Sequence, residues 1–206
     1  MKEPKEFWNK SALRYAKSPV RDEAAYQKKL AISQEYFRAD WSILEFGCGT
    51  GSTAIIHAPF VKHIVATDIS DKMLEIAEQR ARNAGIENIS FQQGTLNNLA
   101  LKAESFDAVL GLNVLHLLED VEAAISRVHW LLKPEGIFIS STVLIKEVSF
   151  FWRLLIPLMQ AFGFAPYVNC LGKKELMSKL INAGFSVELE WQPATESIFI
   201  VAKKHQ

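Results

Sequence analysis

The stretch that most constrains this chain is Ile43-Leu44-Glu45-Phe46-Gly47-Cys48-Gly49-Thr50-Gly51. Apolar residues around a single acid predict a short buried strand. The glycines that follow at every second position predict a loop whose backbone a ligand must approach closely. Ser52 to Ala58 then reads as a helix. In the order strand, glycine loop, helix, the loop lies beyond the carboxyl end of the strand, and the first free N–H groups of the helix face the same space. Such a crevice suits the carboxylate or hydroxyls of a small ligand. The same glycines could form no more than a turn, so the rest of the chain decides between the two readings.

Alternating strand and helix signals follow. His63 to Thr67 reads as a strand ending in Asp68, and Ser70 as the N-cap of a helix carrying Met73, Ala77, Ala81 and Ala84 at helical spacing, with Gly85 to end it. Asn88 to Gln92 is a third strand leading into Gly94-Thr95-Leu96. Ser105 to Gly111, apolar on both faces, is a fourth, running into the loop Leu112-Asn113-Val114-Leu115-His116. A helix from Val121 to Leu132 is expected to stop at Lys133-Pro134-Glu135-Gly136, with the strand Ile137 to Ser141 after it. Strand, helix and strand without long loops imply right-handed parallel crossovers.

Toward the end of the chain, a helix over Lys173 to Ala183 turns Leu176, Met177, Leu180 and Ile181 inward. Phe185, Val187, Leu189 and Trp191 then alternate with polar residues, Gln192 to Glu196 turns, and Ser197 to Ala202 returns as an apolar strand. That is a hairpin, and one of its strands must run against the rest. At the other end, Phe7, Trp8, Leu13 and Tyr15 lie in a helical stretch ending near Ser18-Pro19. A second helix runs from the N-cap Asp22 to about Phe37, with Tyr26, Leu30 and Phe37 on one face. At the least, these two helices cover a flank of the sheet.

The glycine spacing is not the G-x-G-x-x-G of dinucleotide folds. As E-x-G-x-G-x-G, followed by the acid Asp68 at the end of the next strand, it resembles the class I S-adenosylmethionine-dependent methyltransferases over roughly residues 40 to 203. The resemblance implies an α/β fold: a Rossmann-like, seven-stranded, mostly parallel sheet with helices on both faces and a C-terminal antiparallel hairpin. It implies S-adenosyl-L-methionine as cofactor, held by Tyr15, Glu45, Gly47, Cys48, Gly49, Gly51, Asp68, Ile69, Thr95, Leu96 and Asn113. Asp68 would take the ribose hydroxyls, unless it is only a turn residue before Ser70. Thr95 stands where many members have an Asp facing the adenine amino group, which leaves a hydroxyl to accept that bond and Leu96 to pack on the ring. His116 is the candidate general base, with packing as its other reading.

The 206 residues make one domain, with N-terminal cap helices over about 1–38 and an insertion over about 144–171. Lysine plus arginine (23) balances aspartate plus glutamate (23), with no basic block, so a nucleic-acid partner is not expected and a small-molecule substrate is. Met1 to Glu6 is charged and polar with no apolar run behind it, so no secretory leader is expected. Cys48 and Cys170 make no disulfide framework, which fits a reducing cytoplasm.

His57, His63, His129 and His205 have no metal-ligand spacing, so metal-independent transfer is expected. Asn113-Val114-Leu115-His116 is not the Asn/Asp-Pro-Pro-aromatic motif of amino-directed members. By analogy that leaves a small apolar or aromatic acceptor methylated on oxygen or carbon. A cofactor-binding regulatory or partner protein without transferase activity is the alternative. From Leu154 to Gly172 there are 19 residues without formal charge, long enough to cross a bilayer but interrupted by Pro157, Gln160, Gly163, Pro166 and Asn169. Segment 144–171 is therefore expected to be a lid over an apolar substrate pocket, a homodimer interface or a membrane-surface patch, and not a span.

Overall fold

The computed structural model describes residues 4–162 and 164–205, with side chains throughout except at 152–154. Met1 to Glu3, Gly163 and the side chain of Leu154, which enter the expectations above, lie outside the described residues.

Seven strands form one sheet: β1 (Ser42–Phe46), β2 (His63–Asp68), β3 (Ile89–Gln93), β4 (Phe106–Leu112), β5 (Leu132–Val143), β6 (Phe185–Ala194) and β7 (Ser197–Lys204). Their order is β3-β2-β1-β4-β5-β7-β6, with only β7 running antiparallel to its neighbours. The chain leaves β1 toward β2 and β3, then crosses back to place β4 on the other side of β1. The crossovers diverge at the carboxyl ends of β1 and β4, which opens a crevice there.

Helices cover both faces because the strand side chains alternate. Leu44, Val109, Phe138, Ile198 and Ile200 join a core with α5 (Val121–Leu131) and α7 (Lys173–Asn182). Ile43, Ile64, Leu110, Ile139 and Phe199 join the other, which includes Ala54 of α3 (Ser52–His57) and Leu74 of α4 (Asp71–Asn83). Asp22 and Ser70 act as N-caps as expected, accepting from the N–H groups of Ala25 (2.9 Å) and Met73 (3.1 Å).

Several details differ from expectation. Lys133 to Gly136 does not separate helix from strand but bulges within β5: Leu132 pairs with Phe106 and Ile137 with Ala108, so a five-residue step on β5 meets a two-residue step on β4. Lys133 holds the bulge by pairing with Asp107 at 2.7 Å, and Glu135 takes a φ of 65°. In the hairpin the turn shrinks to Thr195-Glu196, because Ala194 already pairs with Ser197. A register shift between Val187 and Leu189 also changes faces, so that Val187 packs with one core and Leu189 and Trp191 with the other. Ile181 is exposed, since α7 buries only Leu176 and Leu180 fully. Pro157 lies inside α6 (Phe150–Ala161) and does not end it; the ring costs one backbone hydrogen bond and the helix runs on.

The N-terminal helices α1 (Pro4–Lys17) and α2 (Glu23–Tyr36) lie over the crevice. Polar clasps dock α1. Ser70 Oγ donates to Asn9 Oδ1 (2.6 Å), Asn9 Nδ2 donates to Asp71 Oδ1 (2.9 Å), and Lys5 pairs with Asp71. The Arg80 guanidinium donates to the carbonyl of Ala16 (2.7 Å) and to Thr50 Oγ1 (2.7 Å), joining the end of α1 to the glycine loop. Replacing Arg80 by Met should cost about 1–3 kcal/mol. It should also speed tryptic cleavage after Arg14 and Lys17 while the C-terminal hairpin stays protected. Unchanged cleavage at those sites, followed by mass spectrometry, would show that the clasp does not hold α1.

Candidate functional site

All three glycines of the loop are left-handed, at φ 67°, 54° and 73° for Gly47, Gly49 and Gly51. The loop is fixed to the end of β2: Cys48 N–H donates to the Thr67 carbonyl (2.9 Å), and Gly49 N–H donates to Asp68 Oδ2 (2.9 Å). Ser70 N–H donates to Asp68 Oδ1 (2.8 Å), so one carboxylate ties the loop to the start of α4. Burial pushes the Asp68 carboxyl up, and the N–H groups of Ser70, Gly49 and Ile69 pull it back.

The glycines do different work. A Cβ on Gly47 would meet Val114 at 2.6 Å, and one on Gly51 would meet Ala77 Cβ at 2.8 Å. One on Gly49 would touch only Tyr15, at 3.7 Å, and so would project into open space. Gly51 therefore packs closely against α4, and it lines neither of the two cavities beside the loop.

Two cavities adjoin the loop. The smaller, of about 470 Å³, lies against Gly49, Thr67, Asp68, Ile69, Thr95 and Leu96. The larger, of about 650 Å³, lies against Glu45, Cys48, Tyr26, Lys29, His57 and Ser141. Tyr15, Gly47, Leu112 and Asn113 line both and form the wall between them. Tyr15, Gly47, Gly49, Asp68, Ile69, Thr95, Leu96 and Asn113 thus line one cavity, while Glu45 and Cys48 face the larger one.

His116 is not at the mouth of the site. It is buried, lines neither cavity, and has Nδ1 3.2 Å from Thr142 Oγ1, whose oxygen also accepts its backbone N–H. The reason is local: Leu115–Leu117 closes a 3-10 turn that points the ring inward. Burial drives the imidazole down to about 4. The described residues of 144–171 line neither cavity, so the cover over the site comes from α1 and α2 and not from that segment. Phe150, Leu158, Phe162 and Phe164 are instead exposed, a pattern that suits an interface or a membrane surface better than a lid. Among the described residues no helix is long and apolar enough to cross a membrane.

Two buried polar atoms at the strand ends, Glu45 Oε2 and Thr67 Oγ1, have no hydrogen-bond partner among the described residues. Burial, with Asp68 nearby, pushes the Glu45 carboxyl up to about 8. Lys29 was missed by the sequence reading. Its ammonium donates to Ser141 Oγ (2.9 Å), and burial pushes its pKa down. The signal was present, since Tyr26, Lys29, Leu30 and Ser33 recur at helical spacing and all line the larger cavity.

Comparison with known proteins agrees with this geometry. A family model described as a methyltransferase domain matches residues 44–140. Over that region the chain resembles the class I S-adenosylmethionine-dependent methyltransferases in sequence, and it shares their fold. It is 34% identical over 110 residues to the uncharacterized methyltransferase YcgJ of Bacillus subtilis, a match covering 53% of this chain and 44% of that one. It is 30% identical over 108 residues to the ubiquinone biosynthesis O-methyltransferase of Bartonella bacilliformis, covering 51% and 42%. The matched region thus spans less than half the length of these relatives. Among solved structures, an S-adenosylmethionine-dependent methyltransferase from Mesorhizobium loti superposes with a TM-score of 0.69 at 21% identity, covering 88% of this chain and 98% of that one.

The methyltransferase domain implies S-adenosylmethionine, and the smaller cavity fits it. The space beside Gly49 admits a close ligand, and Asp68 has lone pairs left for ribose hydroxyls. Thr67 Oγ1, in the wall of that cavity, has no hydrogen-bond partner among the described residues.

Gly49→Val should therefore lower S-adenosylhomocysteine affinity at least about tenfold and lower the unfolding temperature only through its strained φ. Gly51→Val, with the same backbone strain and a clash with Ala77 in addition, should lower the unfolding temperature further and affinity less. The reverse pattern in calorimetry would overturn this division.

The buried titrating groups set a second expectation. Glu45, at about 8 when folded against an ordinary 4.5, stabilises the fold most below pH 4.5, and that contribution is lost as pH rises to about 8. His57 and His116, at about 4 against 6.5, contribute fully above pH 6.5 and lose their contribution as pH falls to about 4. Together these three groups place their maximum near about pH 6.5. The unfolding temperature should fall from there toward pH 8.5, and Glu45→Gln should remove that fall. A parent protein equally stable at both pH values would contradict it.

Proposed function

We propose that this chain transfers a methyl group from S-adenosylmethionine, bound in the smaller cavity, to the oxygen or carbon of a small metabolite bound in the larger one. The observation that carries this reading is the shared wall of Tyr15, Gly47, Leu112 and Asn113, which brings a glycine-loop cavity and a second, helix-capped cavity edge to edge. The cofactor supplies a methyl group already activated on a sulfonium. What remains for the protein is placement. Gly49 admits the cofactor backbone, and Asp68 and Thr67 offer acceptors for its hydroxyls. Tyr15 and Tyr26 offer aromatic surface to an acceptor, and α1 and α2 keep water out.

The O-methyltransferase among the relatives supports oxygen as one acceptor atom. Transfer without a metal is part of the proposal. Among the described residues no three histidine, cysteine or acidic side chains converge. Cys48 and Cys170 are both free thiols, which supports a reducing, cytoplasmic setting.

Calorimetric titration with S-adenosylhomocysteine, followed by a methyl-transfer screen against metabolite extracts, tests the reading. Binding with turnover that survives a chelator is expected. Binding without any turnover would assign the chain to a regulatory role. His116→Ala should lower the rate by less than about tenfold, because a general base is worth on the order of 10² to 10⁴ and His116 reaches neither cavity. A loss in the base range would return His116 to the mechanism.

A further inference from the structure

The larger cavity holds a cation that the fold does not neutralise. Lys29, half-buried on α2, makes a polar contact with the neutral hydroxyl of Ser141, and no carboxylate pairs with it among the described residues. The other charged groups of that cavity are engaged, uncharged or exposed. Arg80 is committed to Ala16, Thr50 and Ser52. Asp22, the acid that raises the Lys29 pKa, uses its carboxylate to cap α2. Glu45 is protonated at neutral pH, and His57 is kept uncharged by burial. Arg21 and Glu196 are exposed.

An ammonium has three donors, and Ser141 uses one. Ser141 Oγ in turn donates to Asn113 Oδ1 (3.3 Å), and Asn113 lines both cavities. Lys29 is thus tethered one hydroxyl away from the wall where the two cavities meet, with two N–H groups left and part of its hydration removed. A partly desolvated cation without a counter-ion is unfavourable until an anion arrives.

We infer that Lys29 is the recognition cation of the larger cavity, holding a small-molecule acceptor through an anionic oxygen, either a carboxylate or an ionised hydroxyl. The inference rests on reading that cavity as the acceptor site, and it narrows the acceptor from any small metabolite to an acidic one. A purely structural Lys29, tying α2 to β5 through Ser141, would show no preference for charge in a bound ligand.

Benzoate and its neutral isostere benzamide separate the two. Each is titrated by calorimetry into the parent, Lys29→Met and Lys29→Arg, with and without S-adenosylhomocysteine, and thermal unfolding of each variant is recorded alongside. The parent should bind benzoate at least about tenfold more tightly than benzamide, the scale of a hydrogen bond to a charged group. Lys29→Met should abolish the preference, and Lys29→Arg should keep most of it. Equal binding of the two probes by the parent, binding of neither, or a preference that survives in Lys29→Met overturns the assignment. Failure of the parent to bind S-adenosylhomocysteine would count against the methyltransferase reading instead, and the benzoate preference measured without it still decides the role of Lys29.

Discussion

The site depends on one carboxylate. Asp68 accepts from Gly49 N–H on one oxygen and from Ser70 N–H on the other, and so joins the loop after β1 to the start of α4. A loop with three left-handed glycines is entropically expensive to order, and no side chain of its own can pin it. A charged acceptor contributes about 1.5–3 kcal/mol per hydrogen bond, more than a neutral one. The turn role of Asp68 does not exclude the proposed ligand role, because each carboxylate oxygen carries two lone-pair sites. A substitution at Asp68 would disturb the loop whatever it does to a ligand.

Around that clamp the strand ends collect polar groups that a stable core would avoid. Among the described residues, Glu45 and Thr67 each bury an oxygen without a partner, and no carboxylate pairs with the Lys29 ammonium. Elsewhere the sheet is ordinary: Phe138, Phe199, Ile43 and Leu110 are fully buried against helices on either face. Two of the unpartnered buried atoms, on Glu45 and Thr67, sit at the carboxyl ends of neighbouring strands, and a third, His57 Nε2, sits at the end of α3 against the larger cavity, which supports binding there at a cost in stability. Both signs of charge are present there. Burial and the nearby Asp68 charge both push the Glu45 carboxyl up, to about 8, and so favour its neutral form. A cation placed beside Glu45 would favour its ionised form, and an anion placed beside Lys29 would stabilise the ammonium that burial opposes.

Much of this was legible in the sequence because it follows from periodicity. The seven strands, the caps at Asp22 and Ser70 and the reversed last strand all came from alternation, helical spacing and cap residues. The differences share a cause: each needed knowledge of a neighbour in space. Gly51 has the spacing of a ligand-binding glycine, and only the position of Ala77 shows how closely it packs against α4. His116 follows a site loop in sequence, and a single 3-10 turn sends its ring to Thr142. Leu189 and Trp191 alternate with polar residues on paper, but the register shift moves them to the other face. The apolar run in segment 144–171 left a lid, an interface and a membrane surface open because all three share an apolar composition.

The cover that the structure does show has a different physical character. Among the described residues of α1 only Ser11 and Ala12 are buried, and the helix is held by Asn9, Lys5 and the reach of Arg80 to Ala16. Such contacts exchange readily with water, so their net contribution is a few kcal/mol at most, against tens for an apolar helix face of the same length. Tyr15 on this helix lines both cavities. Little apolar burial therefore opposes a displacement of α1, and one displacement would expose cofactor and acceptor sites together. Segments that gate ligands are drawn from the weakly held end of a fold for this reason. The polar docking of α1 and the apolar exposure of α6 thus exchange the roles their compositions suggest.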